Sequence, residues 1–432
     1  MILNFSIQNF GPIKDRQTLS FEADKSTHLE DNYVIHKSGY RILKMALIYG
    51  SNASGKSTIL QALNFLRELV LQPKEKKTDE FEFQPFLFDP KTPQQNTVLG
   101  IEFLHNDVKY LYEVEFFRKA IVREVLYFYN PKRAVVFKRN TDINNQLTEI
   151  KFGSKIKIEK NTERNLEANT LWNNTVLGGF LKTNANIKEL KETTDWFKNY
   201  LYPLVEPRTS LDAFITSKID RNELSKKDVT TILKKADLNI SDIIIQEEEE
   251  EIPDEILNLL KNRLNESNGK IKALEEKGKF TSVKIELEHT VNNVKYSLPL
   301  KQESQGTRRF YGFAGLLALL IKRPTAIPID ELESSLHPDL LSHFIILFLI
   351  NTNSSQIIAT THNREILDNK DIFRNDAIWF TDKQEDSSTD LYSLADFDSS
   401  VIRNTSNILN AYKSGKLKGT PNLGDIFIDL NL

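Results

Sequence analysis

The chain has 432 residues, of which 40% are hydrophobic and 27% are charged, and its formal net charge at pH 7 is −3. This composition is typical of a globular protein with a large domain and an insertion, and it excludes a disordered chain and a protein that is basic throughout. Because the sequence contains no cysteine, disulfide scaffolds, cysteine-based zinc sites and cysteine nucleophiles are excluded as well.

The N-terminal stretch MILNFSIQNFG has neither the basic region nor the small-residue cleavage site of a secretion signal. No apolar run reaches the roughly 18 residues that a membrane span needs. We therefore expect a cytoplasmic protein without a membrane partner. Contact with DNA stays open, since a local basic patch is compatible with this average charge.

The first predicted elements are a hairpin and a strand–loop–helix unit. Residues 1–23 alternate in polarity around GPIKD, which predicts a β-hairpin. The apolar run ILKMALIYG, residues 42–50, is typical of a buried central strand. A loop of small residues follows, and behind it a helix is predicted from apolar residues at helical spacing, Ile59, Leu63, Leu66 and Val70.

The small-residue loop, GSNASGKS at residues 50–57, matches the pattern GxxxxGK[ST] in the strand-to-helix context of a P-loop. Its glycines and small residues allow successive backbone N–H groups to surround phosphate oxygens at a helix start. We expect Lys56 to reach the β- and γ-phosphates and Ser57 to ligate Mg²⁺; a plain glycine turn is the alternative. The predicted nucleotide-binding residues of this loop are Gly50, Ser51, Asn52, Ala53, Ser54, Gly55, Lys56, Ser57 and Thr58.

From Asn96 the sequence changes first to a strand pattern and then to a helical one. Apolar stretches separated by turn residues predict an antiparallel meander up to Gly153. The more polar residues 154–280 are predicted to form a helical insertion, in which the five glutamates of QEEEEEIPDE, residues 246–255, are typical of a solvated linker. Strands alternating with helices then return, as in an α/β layer. The predicted domains are the N-terminal half of the fold, 1–153, the insertion, 154–280, and the C-terminal half, 281–432.

A buried helix is predicted within QESQGTRRFYGFAGLLALLIKR, residues 302–323, from its apolar face. Ser304 and Gly306 lie where this helix begins, and exposed N–H groups beside a serine hydroxyl form a second anion-binding site. One chain offers no second phosphate for this site, so a partner's nucleotide is the expected occupant. The alternative is an ordinary N-cap at Ser304.

An apolar run that ends in acidic residues follows in TAIPIDELESSLHP, residues 325–338. Asp330 fits the magnesium ligand that a P-loop needs, and Glu331 fits the residue that polarises water for attack on the γ-phosphate. Without a P-loop, the Asp-Glu pair would be typical of a solvated helix start. Pro328 is unfavourable in a central strand because it cannot donate a ladder hydrogen bond.

A histidine ends the apolar run in IIATTHN, residues 357–363. The spacing of His362 from Glu331 suits a side chain that donates a hydrogen bond to the transferred phosphoryl group. A structural histidine at a strand end is the alternative. The expected nucleotide is ATP, because the guanine-reading element NKxD is absent and NKDI, residues 369–372, misses its spacing.

The order of these motifs resembles the ABC-type ATPase heads of the SMC, Rad50 and OLD group. These heads have a P-loop, a later glutamine (here in EFQPF), a serine–glycine signature, an Asp-Glu pair and a histidine. More specifically, NFGPIKDRQTLSF, IDELESSLHP, ATTHN and SGKLKGTP look like the RloA-type and abortive-infection AAA/ABC ATPases of bacteria. The resemblance covers roughly residues 1–110 and 285–425.

The resemblance implies an α/β fold, a P-loop ABC-type ATPase head with an antiparallel β subdomain and a helical insertion. Such heads dimerise around two ATP molecules, each bound by the P-loop of one subunit and the signature of the other. The signature here departs from LSGGQ at Glu303 and Gln305. The further residues that match the family's nucleotide contacts are Gln84 for the Q-loop, which also contacts Mg²⁺, Ser304 and Gly306 for the signature, residues 335–338 for the D-loop and His362 for the switch histidine.

The resemblance implies an ATP-hydrolysing switch in bacterial anti-phage defence, which assembles as an ATP-dependent dimer or higher oligomer. Its effector would be a separate protein, such as a TOPRIM nuclease, because the 70 residues after His362 are too few for a nuclease domain. The alternative is an SMC- or Rad50-like ATPase that acts directly on nucleic acid, which predicts a long heptad coiled coil. Glu331 disfavours a third class, a scaffold that binds nucleotide without hydrolysing it.

Overall fold

The computed structural model describes residues 1–236, 238–251, 279–369, 371–397 and 408–420. These residues divide into two compact units. As far as they are described, the first unit comprises Met1–Pro207, Arg323–Ser334 and Ile345–Leu432, and the second comprises Arg208–Lys322 and Ser335–Phe344. The limits of these units differ from the predicted boundaries at residues 153 and 280.

The strands of the described residues are, in chain order, β1 Ile2–Gln8, β2 Gln17–Ser20, β3 Val34–Lys37, β4 Tyr40–Leu43, β5 Met45–Gly50, β6 Thr97–His105, β7 Val108–Phe117, β8 Ala120–Tyr129, β9 Arg133–Asp142, β10 Leu147–Phe152, β11 Ile240–Glu251, β12 Lys279–Val291, β13 Val294–Pro299, β14 Ala326–Ile329, β15 Gln356–Thr360, β16 Ile378–Lys383 and β17 Thr389–Ser393. The α-helices within the same described ranges are α1 Glu30–Tyr33, α2 Lys56–Leu71, α3 Lys160–Asn169, α4 Val176–Leu181, α5 Lys188–Asp195, α6 Leu211–Asp220, α7 Lys226–Leu233, α8 Gln305–Lys322, α9 Pro338–Asn351 and α10 Ile408–Lys413.

A five-stranded sheet in the order β14-β15-β5-β16-β17 belongs to the first unit. The first four of these strands are parallel, and β17 is antiparallel to β16. All six residues of the central strand β5 are buried, as expected for a parallel strand that is covered on both faces. The predicted strand–loop–helix unit is confirmed, because α2 begins at Lys56 shortly after β5 and buries its apolar side.

Pro328 lies in β14, and this strand is at the edge of the sheet rather than in its centre. Its carbonyl group accepts a hydrogen bond from the N–H of Val205, which belongs to an irregular segment along that edge. The edge of β14 at which Pro328 lacks an N–H group is therefore the one that points away from β15. The unfavourable position expected for Pro328 is avoided, because proline is tolerated on an edge strand.

A seven-stranded antiparallel sheet in the order β10-β9-β8-β7-β6-β1-β2 also belongs to the first unit. The strands β1 and β2 pair antiparallel, which confirms the predicted N-terminal hairpin. Each strand from β6 to β10 pairs with the next one in sequence, which confirms the predicted meander. Phe103 of β6 stacks on Trp196 with 4.1 Å between ring centroids, so part of the predicted insertion packs on this sheet.

A buried ionic cluster lies between the strands β7, β8 and β9. Glu124 and Arg139 both have 0% exposure. The Glu124 carboxylate accepts hydrogen bonds from the N–H of Val176 at 2.7 Å and from the Tyr112 hydroxyl at 2.9 Å. Burial raises the pKa of Glu124 to about 7, although the charge of Arg139 acts in the opposite direction.

The raised pKa of Glu124 predicts a pH dependence of stability. This carboxyl group has a pKa of 4.5 in the unfolded chain and of about 7 in the folded chain. Between these values the group is ionised in the unfolded chain and protonated in the folded chain, which favours unfolding as the pH rises. The free energy of unfolding is expected to fall by up to about 3 kcal/mol over this interval as the pH rises, and to be independent of this group above it. Urea unfolding at about pH 5 and about pH 8 measures the change. Glu124→Gln should lack this component, and an equal fall in both proteins would contradict the assignment.

The second unit contains the three-stranded antiparallel sheet β11-β12-β13. The strand β11 includes the glutamates up to Glu251, with Glu248 opposite Ser282 of β12. The predicted linker is therefore wrong for these residues, because β-branched residues at 243–245 begin a long paired strand and Lys284 of β12 forms an ion pair with Glu248. Residues 252–255 lie outside the described part of the chain. The segment 154–280 is consequently not helical throughout.

The helix predicted within residues 302–323 is confirmed as α8, a core helix of the second unit. Phe313 of α8 packs against Phe344 of α9 with 4.8 Å between ring centroids. Gly312 allows a close approach of α6, since a Cβ atom at this position would lie 2.5 Å from Cβ of Leu211. The packing of α8 fixes the place of Ser304, which directly precedes its first residue.

Candidate functional site

The loop between β5 and α2 is packed so closely that its glycines are required. A Cβ atom at Gly50 would lie 2.5 Å from Oγ of Ser54, and one at Gly55 would lie 2.5 Å from Oγ1 of Thr389. Gly55 also has a φ angle of +93°, which is strained for any residue with a side chain. Replacing either glycine would therefore displace the loop from the end of the sheet.

Two threonines of the neighbouring strands hold this loop. Oγ of Ser54 lies 2.6 Å from Oγ1 of Thr381 in β16, and the Thr389 hydroxyl in β17 donates to the Ser54 carbonyl at 3.0 Å. The backbone of the loop is thus fixed on the sheet side. A fixed loop at a helix start is the arrangement that presents N–H groups to phosphate.

Lys56, the first residue of α2, is buried with 6% exposure. Its ammonium group donates to the carbonyl oxygens of Gly50 at 3.0 Å and Ser51 at 2.9 Å, and thereby crosses the loop. Burial lowers the pKa of Lys56, while the nearby carboxylates of Asp330 and Glu333 act in the opposite direction. The ammonium group of Lys56 therefore lies at the P-loop, where it is predicted to bind phosphate.

The hydroxyl group of Ser57 donates to Oδ1 of Asp330 at 2.8 Å. The same carboxylate oxygen accepts from the Thr360 hydroxyl at 2.5 Å, and Oγ1 of Thr360 accepts from the N–H of Glu331 at 2.8 Å. These bonds join the P-loop to the ends of β14 and β15. A hydroxyl oxygen beside a carboxylate oxygen matches the oxygen ligands of Mg²⁺, so these residues fit the predicted metal.

Glu331 and His362 lie at the ends of the neighbouring strands β14 and β15. Glu331 has a φ angle of +49° and an exposed side chain. The N–H of His362 donates to Oε1 of Glu333 at 2.5 Å. Burial and the charge of Lys56 lower the pKa of His362, and the surrounding carboxylates, Glu333 first among them, oppose this shift.

Gln84 lies in the segment after α2. Its carbonyl group accepts a hydrogen bond from the N–H of Gly11 at 2.7 Å, and its side chain is exposed. Together with Phe10, Thr58 and Phe83, it lines a cleft of about 350 Å³ beside α2. No contact between described residues joins its side chain to Ser57 or Asp330, and its role as a metal ligand stays a prediction.

Ser304 and Gly306 belong to the second unit. The Ser304 hydroxyl accepts from the N–H of Thr307 at 3.0 Å and therefore caps α8, as in the alternative interpretation of this serine. Glu303 has a partner of its own, since its carboxylate lies 2.7 Å from Nε2 of His289. The departure from LSGGQ at Glu303 thus has a structural reason.

A profile of the AAA domain family that is described as AbiEii toxin, type IV TA system, matches residues 45–368. This range is more than half of the chain, and it includes the P-loop, Asp330 and His362. The chain belongs to this AAA domain family. The resemblance to abortive-infection AAA ATPases that the motifs predicted is thereby confirmed.

No curated protein matches this chain. Solved structures that are similar to it include an SMC head bound to the C-winged helix domain of ScpA, with 12% identity, a TM-score of 0.45 and coverage of 91% of this chain and 97% of that chain. The SMC head domain from Thermotoga maritima has 12% identity, a TM-score of 0.41 and coverage of 91% and 98%. An SMC head with an extended coiled coil, bound to the C-terminal domain of ScpA derived from Pyrococcus furiosus, has 12% identity, a TM-score of 0.42 and coverage of 96% and 98%.

The predicted α/β fold with an antiparallel β subdomain is confirmed. A parallel sheet carries the P-loop at the end of β5, and the seven-stranded antiparallel sheet belongs to the same unit. Among the helices of the described residues, none combines the length and the apolar character that crossing a membrane requires.

Several residues that hold the site are not among the residues predicted from the motifs. Thr360 bonds Asp330, Thr381 bonds the P-loop, and Glu333 bonds the backbone of His362. Two of them had a signal in the sequence, since Thr360 ends an apolar strand two residues before His362 and Glu333 follows Glu331 by two residues. Thr381 had none, because its contact depends on the pairing of β16 with β5.

Proposed function

We propose that this AAA domain binds ATP together with Mg²⁺, hydrolyses it, and associates with a second copy when ATP is bound. The observation that carries the proposal is the hydrogen bond of 2.8 Å between Ser57 and Asp330. These residues are 273 positions apart in the chain, and they are the two that a P-loop ATPase uses to hold magnesium. Their contact is difficult to explain for a plain glycine turn.

Each residue of the site has one proposed task. The N–H groups of the P-loop bind the phosphates, and Lys56 exchanges its loop carbonyls for the β- and γ-phosphate oxygens. Ser57 and Asp330 hold Mg²⁺, which neutralises charge on the phosphates. The two residues at the strand ends complete the site: Glu331 polarises the attacking water and His362 donates a hydrogen bond to the γ-phosphoryl group.

The second copy is proposed to contribute the start of its helix α8. Ser304 and Gly306 lie there, and the N-terminus of a helix of 18 residues has a partial positive charge and N–H groups that suit a phosphate. The cap that Ser304 makes to Thr307 is compatible with this role, since a serine hydroxyl has further hydrogen-bonding capacity. Gln84 is proposed to link the cleft beside Thr58 to the magnesium site.

Replacing Ser304 with arginine tests the contact between copies. Ser304→Arg is expected to abolish ATP-dependent association, because a long cation at the start of α8 blocks the approach of the second nucleotide site, while ATP binding by the single chain is unchanged. Mass photometry with and without ATP measures association. Ser225→Arg is the matched control, because Ser225 caps α7 of the same unit through the N–H of Asp228. If Ser304→Arg still associates when ATP is added, the only role of Ser304 is to cap α8.

The proposed biological role is a switch in bacterial anti-phage defence, which controls a separate effector such as a TOPRIM nuclease. The family description as an AbiEii toxin of a type IV TA system supports this role. A test compares phage plaque formation on bacteria that express the wild-type protein with its neighbouring genes and on bacteria that express Glu331→Gln. Protection that requires Glu331 is the expected result. If DNA stimulates ATP hydrolysis and the wild-type protein does not protect bacteria from phage, the alternative of an ATPase that acts directly on nucleic acid is favoured.

A further inference from the structure

The carboxylate of Glu333 has two oxygen atoms in different situations. Oε1 accepts the N–H of His362 at 2.5 Å and so fixes the backbone where the chain leaves β15. Oε2 is buried and has no hydrogen-bond partner among the described residues. A buried carboxylate oxygen without a partner is unfavourable, and such a group in a functional site calls for an explanation.

The charges around His362 come from two elements. Lys56 at the start of α2 repels a proton on the imidazole, and Asp330, Glu331 and Glu333 at the end of β14 attract one. Among these carboxylates, Glu333 has the largest effect on the ring. The imidazole makes no hydrogen bond to a described residue. Only the electrostatic interactions with these charges therefore favour one orientation of the ring.

We propose that Glu333 is the positioning residue for His362 during ATP hydrolysis, and that Oε2 accepts one ring N–H of the imidazole while Oε1 holds the backbone. This inference rests on the proposed function of the site. A ring nitrogen that donates to a carboxylate fixes the tautomer and the orientation of the imidazole, as in catalytic and metal-bound histidines. The other ring nitrogen is then directed to the γ-phosphoryl group.

The two glutamates that follow Asp330 consequently have different tasks. The side chain of Glu331 is exposed, and its N–H is held by Thr360, so it is available to water. Glu333 is turned toward the end of β15 and holds His362. In this arrangement, Glu331 is the carboxylate that contacts water and Glu333 is the one that holds His362. This division of tasks explains why Glu333 lies among other charged groups.

The test uses Glu333→Gln in the full chain, with Glu385→Gln as the control. Glutamine keeps an oxygen for the N–H of His362 but presents an NH₂ group in place of the second carboxylate oxygen. Glu385 lies on the exposed loop between β16 and β17. The expected result is a fall in kcat of about 30-fold with unchanged ATP affinity, within the roughly 10- to 100-fold loss that removing the hydrogen-bonding partner of a functional histidine causes. Glu385→Gln should match the wild type.

Nuclear magnetic resonance of the labelled histidine rings provides the readout that a structural role would not change. The signal of His362 is assigned by its loss in His362→Gln. In the wild type with a non-hydrolysable ATP analogue, a single tautomer is expected, and in Glu333→Gln a mixture with a lower ring pKa is expected, because a neighbouring negative charge is removed. Glu333→Asp, which keeps the charge, should restore part of both properties and serves if Glu333→Gln fails to fold.

The outcomes separate this inference from the proposed function. If Glu333→Gln leaves the tautomer, the ring pKa and kcat of an active enzyme unchanged, the inference is wrong and ATP hydrolysis stands. If the wild type binds no ATP, the proposed function is wrong. In that case an unchanged ring pKa in Glu333→Gln would also overturn the pairing of Glu333 with His362.

Discussion

Lys56→Ala is expected to bind ATP about 100-fold more weakly than the wild type and to show no measurable hydrolysis. The wild-type ammonium group is already held at the P-loop by two backbone carbonyls, so little reorganisation is needed when phosphates arrive. A hydrogen bond to a charged group contributes about 1.5–3 kcal/mol, and the loss of one such bond to a phosphate oxygen accounts for a change of about 100-fold. Isothermal titration calorimetry with ATP and Mg²⁺ measures the affinity.

A matched control for this experiment is Lys25→Ala. Lys25 is an exposed lysine of the same unit, and its loss changes the net charge by the same amount. Equal affinity of Lys25→Ala and the wild type would show that the effect of Lys56 is local. An affinity of Lys56→Ala within threefold of the wild type would contradict the assignment of residues 50–57 as the phosphate site.

Glu331→Gln is expected to bind ATP as the wild type does and to hydrolyse it about 100- to 10,000-fold more slowly, the range that a general base contributes. The carboxylate is exposed at the end of β14, and its backbone is fixed by Thr360, so the substitution removes a charge without removing a support of the fold. Because ATP is then bound but not consumed, dimers should accumulate. Phosphate release and size-exclusion chromatography with ATP measure the two effects.

The comparison protein for Glu331→Gln is Glu75→Gln, which changes an exposed glutamate elsewhere in the first unit. Normal turnover in Glu75→Gln and slow turnover in Glu331→Gln would assign the water-activating task to Glu331. Normal turnover in both would remove Glu331 from the mechanism, and Glu333 would then be the next carboxylate to examine.

The parts of the fold that could be predicted from the sequence are those with local signals. The P-loop pattern, the apolar periodicity of α2 and the alternation in the meander each extend over a few neighbouring residues, and all three are present. The five glutamates show the limit of such signals. Their charges favour a linker, but the pairing of β11 with a distant strand, including the ion pair between Lys284 and Glu248, determines their conformation.

The candidate site divides in the same way. Lys56, Ser57 and Asp330 follow from motifs, and the structure brings them together. Thr381 and Glu333 act through contacts that depend on sheet order and on the shape of a turn, which no local pattern specifies. The role of Gln84 came from the family resemblance, and those of Ser304 and Gly306 from the predicted helix start together with that resemblance. All three stay predictions, of which Ser304→Arg tests the second.

The contact between Ser57 and Asp330 has a consequence for the synthesis of this protein. The P-loop leaves the ribosome well before its partners, because Asp330 is 273 residues after Ser57 and Thr381 of β16 is 327 residues after Ser54. A nascent chain therefore displays the phosphate motif long before it has the groups that complete it. During translation, the P-loop therefore gains its carboxylate partner only after residue 330 is synthesised, and its threonine partner in β16 only after residue 381.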